Sequence, residues 1–211
     1  MTGQRLDSRA IAELIVRRDR AFRQLVLEVG PPPRARHVPV RDRFANLVQS
    51  ITFQLLATAA ATTIHTRVLA VCGGQPDVAT LLTTDLDDLR SAGLSRTKAQ
   101  AMIDLARHVA DGRIRLDRHG WMDDQAVIDE VTAVRGIGPW TAQMYLMFTL
   151  ARPDVWPTGD FGVRNGWSRL HGLDEIITER DLRDAGSLFA GVRSSVAFYC
   201  WALVDGPAKG Q

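Results

Sequence analysis

Along most of the chain, apolar side chains recur at helical spacing. Phe44, Leu47, Val48 and Ile51 follow one another at intervals of three and four, and Val127, Ile128 and Val131 repeat the pattern, which marks helices with one buried stripe. No run alternates apolar and polar residues at period two, so no strand is expected. The punctuation agrees. A first helix begins near Ser8 and stops at Gly30-Pro31-Pro32-Pro33, and Ser95 opens another that runs to Gly112. Between the helices lie an arginine-rich loop (Arg34, Arg36, Arg41, Arg43), a Gly73-Gly74 break and the turn from Pro153 to Gly159. The pattern predicts an all-α protein of roughly nine or ten short helices.

Composition narrows the classes. The 211 residues are 45% hydrophobic and 24% charged with a formal net charge of +2, proportions of a globular protein with a real core. No window is apolar enough for a membrane span, since Leu47 to Cys72 is broken by Gln49, Gln54, Thr62, His65 and Arg67. The start, MTGQRLDSRA, has no apolar signal region, and a cytoplasmic location is expected. With only Cys72 and Cys200, four-cysteine iron–sulfur or zinc sites are arithmetically excluded. The five histidines (37, 65, 108, 119, 171) show no metal-ligand pairing at helical spacing.

The charge is unevenly placed. Residues 1–120 carry 18 basic and 12 acidic side chains, against eight and 12 in 121–211, so a polyanion would lean on the first part. Arg34, Arg36 and Arg43 are either a phosphate-facing patch or a compositional habit. The only lysines are Lys98 and Lys209, leaving few candidates for amine chemistry.

The chemically informative stretch is Asp124 to Arg164. A helix ending in Val131-Thr132-Ala133-Val134 meets Arg135-Gly136-Ile137-Gly138-Pro139-Trp140-Thr141-Ala142, and a second helix follows. Gly136 and Gly138 permit a tight turn, and Pro139 suits a first helical position. The backbone N–H groups of such a helix start attract phosphate without reading bases. Twenty residues after Trp140 comes Asp160, in Pro157-Thr158-Gly159-Asp160-Phe161-Gly162. From its own context Asp160 is either an N-cap or a functional carboxylate, and a cap would also hold the side chain still.

The order helix, Gly-Ile-Gly-Pro-Trp-Thr-Ala, helix, Pro, Asp resembles the helix-hairpin-helix DNA glycosylase superfamily, most nearly its DNA-3-methyladenine glycosylase II branch. The resemblance extends from about Arg18 to Val204 and includes Val29-Gly30-Pro31-Pro32-Pro33, Phe44-Ala45-Asn46-Leu47-Val48, Gly93-Leu94-Ser95-Arg96-Thr97-Lys98-Ala99 and Arg193-Ser194. It implies a two-lobed helical fold with an active-site cleft between the lobes and no N-terminal β domain. Residues 43–152 would form the middle domain, holding the helix-hairpin-helix at about 124–150. Residues 1–42 and 153–211 would together form the second.

The resemblance further implies a monomeric enzyme acting on double-stranded DNA. It would flip alkylated purines such as 3-methyladenine and 7-methylguanine and hydrolyse their N-glycosidic bonds with Asp160 as catalytic carboxylate. Trp140, Trp201, Phe161 and Met144 fall at base-pocket positions, where electron-rich rings favour a cationic base. Met144 stands where some relatives have Tyr. Gln54 and Leu55 match the wedge that fills the gap left by a flipped base, with Phe53 and Ala57 departing from the usual glycine and serine; in its leucine-rich surroundings Leu55 could equally be core. The backbone of Gly136, Gly138 and Thr141 would grip phosphate, and the carbonyls of Thr132, Val134 and Gly136 would hold a monovalent cation. No other cofactor is implied.

Lyase-type relatives carry a lysine where this chain has Trp140, so a monofunctional enzyme that leaves an abasic site is expected. Two rivals stand beside this reading: a non-catalytic helix-hairpin-helix DNA-binding protein, and a glycosylase for a different lesion.

Overall fold

A computed structural model describes residues 6–34 and 36–205, with side chains through 204. The described residues are helices and loops without strands. The helices are α1 (Ser8–Arg18), α2 (Phe22–Val29), α3 (Val40–Phe53), α4 (Thr58–Val71), α5 (Val78–Thr83), α6 (Leu86–Ser91), α7 (Arg96–Ala110), α8 (Asp124–Thr132), α9 (Pro139–Met144), α10 (Phe161–Leu170), α11 (Glu179–Ala185) and α12 (Arg193–Asp205). A π-helical turn, Tyr145–Thr149, extends α9, and a 3₁₀ turn, Gly186–Phe189, follows α11. The count exceeds the sequence expectation because short capped pieces break what reads as continuous periodicity. Ser8 to Val29 is two helices, divided where the Asp19 side chain accepts the Ala21 N–H at 2.9 Å. Among the described residues no helix is long and apolar enough to cross a membrane.

Local chemistry sets many of the helix starts. Asp7, Asp77, Asp85, Ser95, Asp123, Asp160 and Thr178 each cap a helix with their side chains, satisfying amides that lack a partner inside the helix.

The chain divides into two compact units, residues 36–151 and residues 1–35 with 152–211. The first division falls before residue 43, where the sequence reading put it, because the Val38 N–H donates to Thr149 O at 2.9 Å and ties the segment before α3 to the middle unit. Arg43 belongs to the same correction. Its guanidinium is buried, 7% exposed, and donates to Leu116 O at 2.6 Å. It braces a loop and is no part of a phosphate-facing patch, whereas Arg34 and Arg36 are exposed.

The middle unit has its core on α3, α7, α8 and α9, with Leu47, Ile51, Met102, Leu105, Val127 and Val131 fully buried. It also encloses a polar cluster. Fully buried His119 bonds the Tyr145 hydroxyl through Nδ1 at 3.0 Å and Glu130 through Nε2. Burial lowers the His119 pKa, and Glu130 opposes that shift only in part.

The unit built from both ends packs around aromatic rings. Phe22 lies edge-on to Trp167, Phe189 and Tyr199 at centroid distances of 6.0, 5.6 and 6.2 Å. The Tyr199 hydroxyl donates to Gly30 O at 2.9 Å, and burial pushes its pKa up to about 12. Arg193, opening α12, makes a two-pronged ion pair with Asp154, both bonds 2.7 Å.

Candidate active site

Asp160 sits where the Pro153–Gly159 turn becomes α10. Its N–H donates back to Pro157 O at 3.0 Å, and its Oδ1 accepts the Val163 N–H at 2.8 Å. The N-cap is therefore real, and it holds the carboxylate at the positive end of the α10 dipole.

The same Oδ1 accepts a second donor, the indole Nε1–H of Trp201 on α12, at 2.9 Å. The two helices come close enough for this because of glycine. A methyl group on Gly162 would stand 2.9 Å from Trp201 Cδ1 and 3.1 Å from Asp160 Oδ1, and one on Gly166 would fall 2.1 Å from Cys200 O. Phe198 meets the Trp201 ring edge-on at 5.7 Å. The resemblance supplied Trp201 as a ring face; the structure adds a hydrogen bond that orients the carboxylate. Beside it, burial and then the charge of Asp160 push the Cys200 pKa up, so this thiol stays protonated and is no nucleophile. Phe161, next to the aspartate, is 62% exposed.

The hairpin lies in the middle unit. After α8 the Ile137 N–H donates to Val134 O at 3.0 Å, and Gly136 occupies the third position of this turn with φ +92°, a conformation glycine adopts without strain. A Cβ there would also press on Ala101 Cβ at 3.1 Å. Gly138 precedes α9, and Pro139 takes its first position, as the sequence predicts. The Trp140 and Thr141 amides come before the first intrahelical bond, Ala142 N to Gly138 O. Trp140 is partly exposed, and Met144 is a core residue, 5% exposed.

Val134 O accepts from Ile137 N and Gly136 O from Gln54 Nε2 at 3.1 Å. A carbonyl oxygen has two lone pairs, and neutral oxygen donors of this kind fit a monovalent cation.

Between α3 and α4 the chain makes a sharp knuckle. Leu55 has φ +54° and is fully exposed at 102%, which removes the core reading of this residue. Gln54 does not project with it. Its Nε2 donates to Thr141 Oγ1 at 2.7 Å as well as to Gly136 O, tying the knuckle to the hairpin. Lys98, one of the chain's two lysines, donates from Nζ to Thr52 O at 2.9 Å and Gln54 O at 2.6 Å. Burial lowers its pKa. Lys209 lies outside the described residues.

Two contiguous sets are thus brought together, one in each unit: Asp160, Gly162 and Trp201, and Gln54, Lys98, Gly136 and Thr141. Gly162 and Lys98 had not been picked out as site residues. Their signals were slight: a glycine two places after the aspartate, and a lysine among arginines.

Comparison with known proteins agrees with this architecture. DNA-3-methyladenine glycosylase 1 of Schizosaccharomyces pombe is 28% identical over 87% of this chain and 82% of its own length. The solved S. pombe 3-methyladenine DNA glycosylase in complex with abasic DNA superposes with a TM-score of 0.85 at 27% identity, covering 91% of this chain and 95% of that one. A DNA-3-methyladenine glycosidase of Bacillus halodurans gives a TM-score of 0.74 at 31% identity, over 92% and 88% of the two chains. The family model of the HhH-GPD superfamily base excision DNA repair proteins matches residues 48–189. With that match over most of its length, the chain belongs to the HhH-GPD superfamily.

Proposed function

We propose that this protein is a DNA N-glycosylase that removes alkylated purines from duplex DNA and leaves an abasic site. The observation that carries the reading is Asp160, a carboxylate fixed by two hydrogen bonds at the start of α10, in a chain whose relatives are DNA-3-methyladenine glycosylases.

Cleavage of an N-glycosidic bond leaves positive charge on the sugar. A fixed anion stabilises that oxocarbenium character without reorganising, and the same carboxylate orients or deprotonates the attacking water. A 3- or 7-alkylated purine already carries a positive charge, so its departure needs no general acid. Trp140 in the middle unit, and Phe161 and Trp201 in the other, are each rings of the kind that favours such a base. Met144 is buried and presents little surface to a base.

The hairpin amides around Gly138 and Thr141 bind backbone phosphate, and Leu55 enters the base stack. A monovalent cation on the Thr132, Val134 and Gly136 carbonyls would add positive charge against the same phosphate. Water serves as the nucleophile, since the hairpin carries Trp140 in place of a lysine and the Lys98 amine is engaged by two carbonyls.

The test is release of free bases from methylated duplex DNA by the wild type and Asp160→Asn, with strand breaks scored before and after hot alkali. The expected result is methylpurine release by the wild type alone, and breaks only after alkali. Normal DNA binding without release from any damaged substrate would overturn the enzymatic reading; breaks before alkali would overturn the monofunctional one.

A further inference from the structure

The Phe53–Leu56 turn is an unusual one for its residues. Gln54 has φ −51° and ψ 128°, Leu55 has φ +54°, and the Leu56 N–H points to Phe53 O at 3.4 Å. These are the angles of a type II turn, whose third position calls for glycine. Leucine there is strained. The turn could relax by rotating its central peptide, the one bearing Gln54 O, which would take Leu55 to negative φ and redirect its side chain. Something must hold that carbonyl.

We propose that Lys98 is a positioning residue for base opening: its ammonium fixes the Gln54 carbonyl and so keeps Leu55 displayed in the strained, outward form. The proposal rests on the reading of Leu55 as the residue that enters the stack. Lys98 Nζ lies 2.6 Å from Gln54 O, the carbonyl that a rotated peptide would carry away, and 2.9 Å from Thr52 O, one of the last carbonyls of α3. A cation at a helix C-terminus is favoured, whereas Lys98 itself belongs to the first turn of α7, the wrong end for a positive charge. Its placement thus answers to α3 rather than to α7.

The residue type points the same way. All but two of the 26 Lys and Arg residues are arginine, yet a lysine stands here. A compact ammonium with three rotatable donors converges on two carbonyls, which a planar guanidinium with a fixed fork does less well. The side chain of Gln54, anchored on Gly136 O and Thr141 Oγ1, links the same turn to the hairpin.

The experiment compares wild type, Lys98→Met, Leu55→Ala, the double variant and Lys98→Arg. The probe is duplex DNA carrying 2-aminopurine beside a tetrahydrofuran abasic analogue, read by fluorescence, alongside single-turnover release of 7-methylguanine from methylated DNA. We expect about a tenfold loss of release rate and most of the fluorescence gain in each single variant, and no more than about a further twofold loss in the double. Dissociation constants at fixed salt should stay within about threefold of wild type.

A wild-type result for Lys98→Met while Leu55→Ala is impaired overturns the role of Lys98 and leaves the wedge standing. A wild-type result for Leu55→Ala overturns the wedge reading instead. Losses that multiply in the double variant place Lys98 in a general structural role and also overturn the proposal. Should Lys98→Met fail to fold, Lys98→Arg carries the comparison: folded but below wild type in fluorescence supports a requirement for the ammonium, and wild-type fluorescence refutes it.

Discussion

The indole of Trp201 and the carboxylate of Asp160, 41 positions apart, meet through a 2.9 Å hydrogen bond. A charged acceptor makes this bond stronger than a neutral one, and it lands on the oxygen that also caps α10. Trp201→Phe keeps a smaller aromatic ring and removes the donor. The turnover of methylated DNA by this variant should fall about tenfold or more, from the loss of roughly 1.5–3 kcal/mol of charge-assisted bonding, with KM little changed. An unchanged kcat would show that the ring alone matters.

Gly162 tests the same contact from the backbone side. In Gly162→Ala the new methyl group meets both Trp201 and Asp160 at about 3 Å, so kcat should fall as in Trp201→Phe. Combining the two should add little, because both remove one interaction. Independent, multiplying losses in a kinetic double-mutant cycle would contradict a shared origin.

Leu55→Gly separates stability from function. The side chain is fully exposed and its backbone sits at positive φ, so glycine relieves strain while loosening the unfolded chain, two effects of about 1 kcal/mol that oppose each other. Thermal melting should stay within about 1 kcal/mol of wild type while base release falls. A large destabilisation would mean that Leu55 packs against something after all.

His119 predicts a pH dependence. Its folded pKa lies below the ordinary 6.5, chiefly because burial disfavours the charged form. The neutral ring therefore contributes its full stability above pH 6.5, and that contribution is lost as pH falls through the depressed folded value. Urea midpoints measured from about pH 7.5 to about pH 5 should decline on the acid side, and His119→Gln, though less stable throughout, should show a flatter profile. An equally steep profile would assign the dependence elsewhere, His65 being another histidine whose pKa burial lowers.

Arg34 and Arg36 differ from Arg43 in what their removal should do. Alanine at either exposed position should reduce the slope of log K against log salt by up to about 0.9 for each phosphate that the arginine neutralises. Arg43→Ala should instead lower the melting temperature, because it strands the buried Leu116 carbonyl. Unchanged salt slopes for Arg34 and Arg36 would remove them from the DNA-facing surface.

The sequence by itself determined the helical class and the hairpin with Pro139 opening its second helix, offered the cap at Asp160 as one of two readings, and carried the resemblance to the family. Each of these depends on residues close in the chain, where spacing and dihedral preference act directly. It misjudged Ser8–Val29 as one helix because the Asp19 side-chain bond that divides it leaves the apolar rhythm unbroken, and it grouped Arg43 with its exposed neighbours because charge says nothing of burial. Only the tertiary structure decided that Leu55 stands in solvent at positive φ, that Trp201 donates to Asp160 across the α10–α12 crossing, and that Lys98 reaches the end of α3. The two hydrogen-bonded meetings join positions between 41 and 46 residues apart, and no local preference of either partner encodes them.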